Sequence, residues 1–282
     1  MEGLGNDYVY VDATREPLED ASRLAREWSD RHFGIGGDGL IVIEPALSEE
    51  ADFRMRMYNN DGSEGAMCGN GIRCVGKFVY DKGLTRKTRL VIETGAGLKY
   101  LDLTVGEDGQ VSSVTVDMGV PRLEDAGQCT APPSPPCSGE IRLEANGREY
   151  SGTFVSMGNP HFVIFVDDIG GVDLEAEGPL LERHEVFPDR CNIEFVEQRG
   201  DGLLRMRVWE RGSGITMACG TGACATAVAA ILRGRLSARA DVLMDGGKLS
   251  IAWAGEGEPV LMEGPARTVF EGEIEAFGLN DK

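Results

Sequence analysis

The sequence predicts an α+β protein of two pseudo-symmetric domains, each a mixed or antiparallel sheet rolled around a central helix, with the active site in the cleft between them. The main observation is a repeated motif. Residues 68–71 read Cys-Gly-Asn-Gly, and residues 219–222, 151 positions later, read Cys-Gly-Thr-Gly. A second echo joins Gly5-Asn6 to Gly158-Asn159, 153 positions later. These echoes at nearly one offset indicate duplicated domains, because the period is far longer than that of solenoid repeats.

The predicted division places the N-terminal half at residues 1–117 and the C-terminal half at residues 118–267. A chain of 282 residues is long enough for one large or two ordinary domains. Alternating apolar and basic residues at 55–58, and again at 204–209, give each half a strand shortly before its cysteine motif. The last apolar segment, 268–277, is also strand-like. We expect residues 268–282 to return to the N-terminal half as its final strand.

Composition and charge limit the class of partner. The 28 Lys and Arg residues against 47 Asp and Glu residues give a net charge of −19. This charge argues against nucleic acid or an anionic membrane as the main partner. The sequence also contains no apolar run that approaches the length of a membrane span. The seven cysteines show no C-x2-C spacing, so we expect a reducing, cytoplasmic setting and mostly free thiols.

In the N-terminal half, apolar periodicity predicts helices at 18–30 and directly after Cys68. The stretch 34–39 matches Gly-x-Gly-x-x-Gly, the pattern of a dinucleotide-binding loop. That loop must follow a strand and open a helix, whereas here a helix precedes the glycines and a strand follows them. We therefore interpret this stretch as a glycine turn. The strands predicted in this half lie at 9–11, 40–43, 53–57, 90–93, 98–105 and 111–117.

In the C-terminal half, the same reasoning predicts a short helix at 179–184 and a longer one from Cys219 to about Arg233. The proline-rich stretch 131–136 is incompatible with a helix or a central strand, and we expect a surface excursion there. Cys129 and Cys137 flank it and are expected to be free surface thiols. The strands predicted in this half lie at 141–144, 149–155, 161–166, 191–196, 204–209, 240–244, 248–253 and 260–263.

The two motif cysteines are expected to carry the chemistry. Cys68 and Cys219 each precede a predicted helix, where unpaired N–H groups and the helix dipole favour negative charge. We expect this setting to lower the thiol pKa and to bind an anion. Moving a proton from one face of a carbon to the other needs a base on one side and an acid on the other. Two thiols at two related helix ends meet that need, and neighbouring N–H groups would stabilise the carbanion-like transition state.

Competing chemistries match the sequence less well. Zinc needs four clustered ligands, and the cysteine spacings with three scattered histidines do not provide them, so we expect no metal. Gly247-Lys248 is followed by Leu249, so no P-loop is present. A cysteine hydrolase has no use for a second matched cysteine. A two-thiol redox sensor remains open, because two facing thiols can form a disulfide.

At these residues the chain resembles the diaminopimelate epimerase family, cofactor-independent enzymes that interconvert LL- and meso-diaminopimelate. The resemblance extends over nearly the whole chain. Its matching stretches are 3–7, 59–64, 68–71, 157–161, Asn192, 210–212 and 218–222.

The resemblance implies a role for each matched residue. Cys68 and Cys219 would be the acid/base pair, in an enzyme without cofactor that is usually a homodimer. His161 would tune the site, and Glu210 would contact the reacting amino group and share in that tuning. The residues implied in holding the amino-acid substrate are Asn6, Asn59, Gly69, Asn70, Asn159, Asn192, Glu210, Arg211, Gly220 and Thr221.

Two features depart from the family pattern. The family often carries Gln where this chain has Gly39, and it usually has a short strand before residues 3–6. That strand is almost wholly missing here, and we expect the true start to lie upstream of the recorded one.

Several alternatives stay open at the level of sequence. A racemase or epimerase of another amino acid, of the histidine or proline type, would keep both cysteines on the same scaffold. Asn59 could simply make a turn, because Asp-Gly follows it closely. Glu210 and Arg211 could form a solvated pair at the end of a strand, and His161 could be a satisfied core histidine.

Overall fold

The computed structural model describes residues 1–131 and 139–274, and their strand-rich layout confirms the predicted α+β class. The N-terminal half contains β1 (Glu2–Gly3), β2 (Asn6–Asp12), α1 (Ala21–Ser29), β3 (Gly39–Pro45), β4 (Phe53–Asn59), β5 (Glu64–Gly65), α2 (Gly69–Asp81), β6 (Arg89–Thr94), β7 (Gly97–Val105) and β8 (Val111–Asp117). The C-terminal half contains β9 (Glu140–Ala145), β10 (Arg148–Ser156), β11 (Pro160–Phe165), a 3-10 turn (Ile169–Gly171), α3 (Leu174–Glu182), β12 (Asn192–Gln198), β13 (Leu203–Glu210), β14 (Gly214–Ile215), α4 (Gly220–Leu232), β15 (Arg239–Met244), β16 (Gly247–Trp253) and β17 (Val260–Gly264).

The strand pairing repeats in the same order in both halves. In the first half β2 is parallel to β3, β4 is antiparallel to β3 and parallel to β6, and β6, β7 and β8 form an antiparallel meander. In the second half β11, β12, β13, β15, β16 and β17 repeat each of these relations. Each half also has one helix between its first two parallel strands and one between its second pair. The repeat inferred from the cysteine motifs is therefore present in the topology.

The two halves join through equivalent strands. β8 and β17 each end the meander of their half, and they pair antiparallel, with Met262 opposite Val116 and Leu261 opposite Asp117. This pairing connects the strands of the described residues into one 17-stranded sheet. Backbone hydrogen bonds between β8 and β17 therefore connect the two halves directly. The division at 117/118 stays a prediction.

Helices α2 and α4 are enclosed by the sheet, as predicted for the central helix of each half. Ile72, Val75 and Val79 recur at helical spacing on α2, and all three are fully buried. Burying one such side chain contributes about 1.5–3 kcal/mol. Helix α4 is apolar on all sides, and its small residues Ala223 and Ala227 are also fully buried. Both helices are therefore fixed by packing along most of their length.

The predicted final strand is wrong over the residues that the structure describes. Residues 268–274 form no strand, and the nearest pairing is a single antiparallel bridge between Arg267 and Glu2. Phe270 is 65% exposed, so the apolar residues of this segment do not supply a core face. Apolar alternation makes a strand only where a partner strand offers free backbone groups. Residues 275–282 lie outside the described range.

Smaller differences concern helix limits and one cysteine. Helix α3 begins at Leu174 and not at Pro179, because Asp173 caps it by accepting a hydrogen bond from the Ala176 N–H. Cys129 is free but buried at 8% exposure, so its prediction as a surface thiol is wrong. It packs in the apolar core of the second half. Cys137 and the stretch 132–138 lie outside the described residues.

The glycine turn between α1 and β3 is confirmed. At Gly39 a Cβ atom would lie 2.0 Å from the Tyr58 carbonyl oxygen, so this backbone has no room for a side chain.

Candidate active site

Each motif cysteine caps a central helix, as predicted. Cys68 is the N-cap of α2, and its Sγ accepts a hydrogen bond from the Gly71 N–H at 3.3 Å. Cys219 is the N-cap of α4, and its Sγ accepts from the Gly222 N–H at 3.4 Å. A cysteine sulfur thus takes the place that a Ser or Asp oxygen usually has at a helix start.

The two helix starts meet between the halves. A Cβ atom on Gly69 would lie 3.8 Å from the Gly220 Cα, and one on Gly220 would lie 3.7 Å from the Gly69 Cα. Met262 of β17 packs beneath both, 3.3 Å from the first of these Cβ positions and 3.2 Å from the second. Glycine at both positions lets the two backbones approach this closely. The partial positive charges of two helix N-termini are therefore concentrated in one small region, which favours an anion.

The predicted lowering of the thiol pKa is wrong for both cysteines. Burial raises the pKa of the half-buried Cys68, and the N–H groups of Gly71 and Asn70 and the Arg73 guanidinium offset only part of that rise. Burial raises the pKa of Cys219 well above the ordinary thiol value, and the carboxyl groups of Glu210 and Glu194 raise it further. Desolvation of the thiolate therefore outweighs the helix N-terminus at both positions.

Asn6 holds the Cys68 thiol. Its Oδ1 accepts a hydrogen bond from the Cys68 sulfur at 3.3 Å, and its Nδ2 donates to the Asp38 carboxylate at 2.7 Å. Asp38 in turn accepts from the Arg31 guanidinium at 3.2 Å. The sequence analysis did not find Asp38 or Arg31. Asp38 could have been suspected from the sequence, because it is the charged residue within the glycine turn at 34–39.

Asn159 is the counterpart of Asn6 in the second half, but it reaches its cysteine through Thr221 and not directly. Its Nδ2 donates to Thr221 Oγ1 at 3.3 Å, and that oxygen lies 3.6 Å from the Cys219 Sγ. The Asn159 Oδ1 lies 3.2 Å from His161 Nε2. Asn159, His161 and Thr221 therefore form one connected group behind Cys219.

His161 is fully buried and contacts a carboxylate that the sequence analysis did not find. Its Nδ1 lies 2.7 Å from Glu194 Oε1, and both side chains have no exposed surface. Glu194 lies on β12 among apolar neighbours, and Ile193, Phe195 and Val196 are all buried as well. A charged residue inside an otherwise apolar strand was the signal for a buried pair.

Glu210 ends β13 close to Cys219. It accepts a hydrogen bond from the Thr216 hydroxyl. Burial raises the pKa of the Glu210 carboxyl, while the Thr216 bond and the His161 ring partly offset that rise. The structure therefore brings Glu210, His161 and Cys219 into one electrostatic environment.

Asn192 and Arg211, also predicted as substrate-binding residues, form hydrogen bonds with other parts of the protein. Asn192 donates to the Pro160 carbonyl at 2.7 Å and accepts from the Arg211 N–H at 2.9 Å, so its side chain joins β11 to the end of β13. The guanidinium of Arg211 is exposed and donates to the Asp189 carbonyl at 3.0 Å. Asn192 thus fixes the backbone that carries Arg211.

Two asparagines of the first half also have internal partners. Asn59 donates to the Ser63 hydroxyl at 2.9 Å, as the turn interpretation predicts, and it pairs with Gly39 beside Asp38. Asn70 is buried and accepts from the Arg73 guanidinium at 2.9 Å. Neither side chain directly contacts a cysteine in this structure.

The described residues contain no cluster of three or more His, Cys, Asp or Glu side chains suited to holding a metal ion. Among the helices described, none is long and apolar enough to cross a membrane. All six cysteines within the described ranges are free.

Comparison with solved structures defines the fold class. A probable proline racemase from Agrobacterium radiobacter K84, with bound carbonate, superposes with a TM-score of 0.67 at 17% identity over 95% of this chain and 84% of its own. A hydroxyproline epimerase from Agrobacterium vitis, with bound trans-4-hydroxy-L-proline, gives a TM-score of 0.63 at 19% identity over 88% and 79%. A methylitaconate-delta-isomerase gives 0.65 at 16% identity over 96% and 92%. The chain therefore has the fold of these isomerases.

Sequence comparison narrows the class to one family. The family model of diaminopimelate epimerase matches residues 1–124 and 153–269. The diaminopimelate epimerase of Phocaeicola vulgatus is 57% identical over 278 residues, covering 98% of this chain and 96% of its own. That of Methanococcus maripaludis strain C5 is 50% identical over 275 residues, covering 98% of both chains. The chain belongs to the diaminopimelate epimerase family, and its activity is that of an isomerase.

Proposed function

We propose that this protein interconverts LL- and meso-diaminopimelate by transferring a proton between the two faces of one Cα atom, with Cys68 and Cys219 as the acid/base pair. The observation that carries the proposal is the meeting of two cysteine-capped helix starts at Gly69 and Gly220. A carbon atom held there would have one thiol on each side. The reaction serves the biosynthesis of lysine and of peptidoglycan precursors.

The carboxylate at the reacting carbon would be held by the backbone N–H groups of the two helix starts, at Gly69, Asn70, Gly220 and Thr221. These dipoles are fixed before substrate binds, so they stabilise the carbanion-like transition state without reorganisation. One cysteine, as thiolate, removes the α-proton, and the other, as thiol, donates a proton to the opposite face. The roles exchange with reaction direction.

The raised pKa of both thiols suits this chemistry. The α-proton of an amino acid is far less acidic than a thiol, and a buried thiolate of high pKa is a stronger base than a solvated one. The ammonium group of the substrate supplies a positive charge where Glu210 and Cys219 lie. Glu210 would contact that ammonium, and His161 would tune the electrostatics behind it.

The distal end of the substrate is a second amino acid with its own charges. We propose that Asn159, Asn192 and Arg211 recognise this end from the second half, and that Asn6 and Asn59 contribute from the first half. The exposed guanidinium of Arg211 is the cation available for the distal carboxylate. Its backbone is anchored by the buried Asn192.

We also propose that the enzyme acts without pyridoxal phosphate or metal, as a cytoplasmic homodimer. The two thiols and the two helix N-termini supply the base, the acid and the anion site. Treatment with EDTA or hydroxylamine should leave activity unchanged. A loss that is restored by added metal or pyridoxal phosphate would contradict this proposal, and light scattering of the purified protein would report the dimer.

The deciding experiment is α-proton exchange in D2O across a panel of amino acids. We expect rapid deuterium incorporation into LL- and meso-diaminopimelate, with much slower exchange of lysine, histidine and proline. Rapid exchange of histidine or proline with inert diaminopimelate would assign a different racemase to this scaffold. Absence of exchange with every substrate, together with a reversible Cys68–Cys219 disulfide that controls another activity, would instead support a redox sensor.

A further inference from the structure

The buried pair of His161 and Glu194 lies directly beneath the start of α4. Glu194 Oε1 would lie 2.8 Å from a Cβ atom on Gly222, in the first turn after Cys219. Its other oxygen, Oε2, is buried and has no hydrogen-bond partner among the described residues. A buried carboxylate that uses only one oxygen is costly, so its presence here needs a physical explanation.

The hydrogen-bond directions determine where the protons of His161 lie. In this structure the Asn159 amide nitrogen donates to Thr221, so its Oδ1 faces His161 Nε2 as an acceptor. Nε2 must then carry a hydrogen. The 2.7 Å contact between Nδ1 and Glu194 Oε1 needs a hydrogen between these two atoms, and it lies on Nδ1 when Glu194 is ionised. With an ionised Glu194, the arrangement corresponds to a doubly protonated imidazolium whose charge is compensated by that carboxylate.

The same path reaches the reacting thiol. Because Asn159 donates to Thr221 Oγ1, the hydroxyl hydrogen of Thr221 is available to the Cys219 Sγ, 3.6 Å away. The other titratable groups that face the pair are Glu210 at the end of β13 and the buried Cys191 next to β12.

The first half has an apolar residue at the position equivalent to Glu194. Ile41 occupies the position equivalent to Glu194 on the second parallel strand of its half. Ile41 on β3 pairs with Tyr10 on β2, as Glu194 on β12 pairs with Val163 on β11. A Cβ atom on Gly71 would meet Ile41 Cδ1 at 2.6 Å, as one on Gly222 would meet Glu194. The fold therefore accepts an apolar residue here, and packing alone does not require a carboxylate.

We infer that Glu194 is a positioning residue for the reaction, the counter-ion that keeps His161 doubly protonated and thereby holds Asn159 and Thr221 against Cys219. The inference rests on the proposed epimerase function and deepens it. It gives the Cys219 side a fully buried pair behind its asparagine, where the Cys68 side has the solvent-exposed pair of Asp38 and Arg31.

The test compares wild type with Glu194→Gln, Glu194→Ile and the control Glu197→Gln. Glu197 lies on the same strand, and its carboxylate contacts Arg199 and the Ile169 N–H away from the pair. Nitrogen-15 NMR of labelled histidine, recorded in the buffer of the activity assay, should show both His161 ring nitrogens protonated in wild type. The exposed His32 provides the reference signal of a ring in water.

In Glu194→Gln and Glu194→Ile we expect His161 to lose its second ring proton. We also expect kcat to fall by about 10–100-fold, the range typical for removing a residue that orients another functional side chain. KM should change less, and Glu197→Gln should match wild type in both readouts. A singly protonated His161 ring in the wild type would overturn the inference even if no Glu194 variant folds. So would a folded Glu194→Gln with wild-type kcat. Failure of the proposed function is distinguished from these outcomes, because it would appear as absent diaminopimelate exchange in wild type itself.

Discussion

The two halves of the molecule share a backbone plan and differ in what surrounds the thiol. Cys68 is half-buried, bonds Asn6 directly, and lies near the fully buried guanidinium of Arg73. Cys219 is 6% exposed, reaches Asn159 only through Thr221, and lies near two carboxyl groups. Duplication therefore gives the two thiols matched positions at helix starts, while unmatched charges make their pKa values differ.

The inequality has a structural origin in equivalent positions. Arg73 and Cys224 each lie five residues after the capping cysteine, and Ile41 and Glu194 occupy the same place beneath the two helix starts. In the first half the buried charge is a cation on the helix. In the second half it is the Glu194 carboxylate on the strand, paired with the buried His161 ring. Two cysteines at equivalent helix starts thus lie in different electrostatic surroundings, with Glu210 and Glu194 near Cys219 and Arg73 near Cys68.

The largest expected effect comes from removing either thiol. Cys68→Ser and Cys219→Ser should each lower epimerisation by roughly 10²–10⁴-fold, because a hydroxyl is a far weaker acid and base at neutral pH. Steady-state kinetics with LL- and meso-diaminopimelate would measure the loss, and circular dichroism would show that both variants stay folded. Turnover at the wild-type rate by either variant would remove the two-base mechanism.

The second effect in size concerns the distal end of the substrate. Lysine lacks the distal carboxylate, so the polar groups proposed to bind it would stay unpaired, costing roughly 1–3 kcal/mol for each lost hydrogen bond. We expect lysine to be a very poor substrate in the D2O exchange assay. Arg211→Gln should lower the preference for diaminopimelate over lysine. An unchanged preference in that variant would place the distal site elsewhere.

The third prediction separates the two thiols by their alkylation as pH rises. Only the thiolate reacts, and burial with Glu210 and Glu194 nearby holds the pKa of Cys219 well above its ordinary value, whereas the rise at Cys68 is opposed by Arg73. Mass spectrometry after iodoacetamide treatment should give a lower midpoint pH for Cys68. Glu210→Gln should lower the midpoint of Cys219 and leave that of Cys68 in place. Equal midpoints in the wild type would contradict the charge asymmetry.

The smallest effect is expected from the inner cysteines, Cys74 and Cys224. Both are fully buried within their helices, and burial raises the pKa of Cys224 to about 12, so neither is suited to proton transfer. Replacing either by Ala should lower the free energy of unfolding by about 1 kcal/mol and leave turnover nearly unchanged. Thermal denaturation and kinetics on the same samples would check this. A folded but inactive Cys74→Ala would assign that thiol a part in the reaction.

Local sequence was sufficient for the elements that carry the two thiols. Glycines after Cys68 and Cys219, followed by apolar residues at helical spacing, indicated the two helix starts, because capping and periodicity depend on near neighbours in the chain. Strand alternation at 55–57 and 204–209 and the common offset of the motifs likewise needed no tertiary information. The family resemblance supplied the substrate.

Long-range packing decided the rest. The thiol pKa rises because distant strands enclose the cysteines, and the sequence shows the helix start without showing the desolvation. Glu194 and Asp38 reach the site only through pairing with strands and turns far along the chain, and residues 268–274 lack the partner strand that their alternation predicted. The sequence by itself therefore determined where the two central helices and their capping cysteines would be. The tertiary structure decided which charges surround each thiol, because electrostatic energies depend on burial and on distances between residues that are remote in sequence.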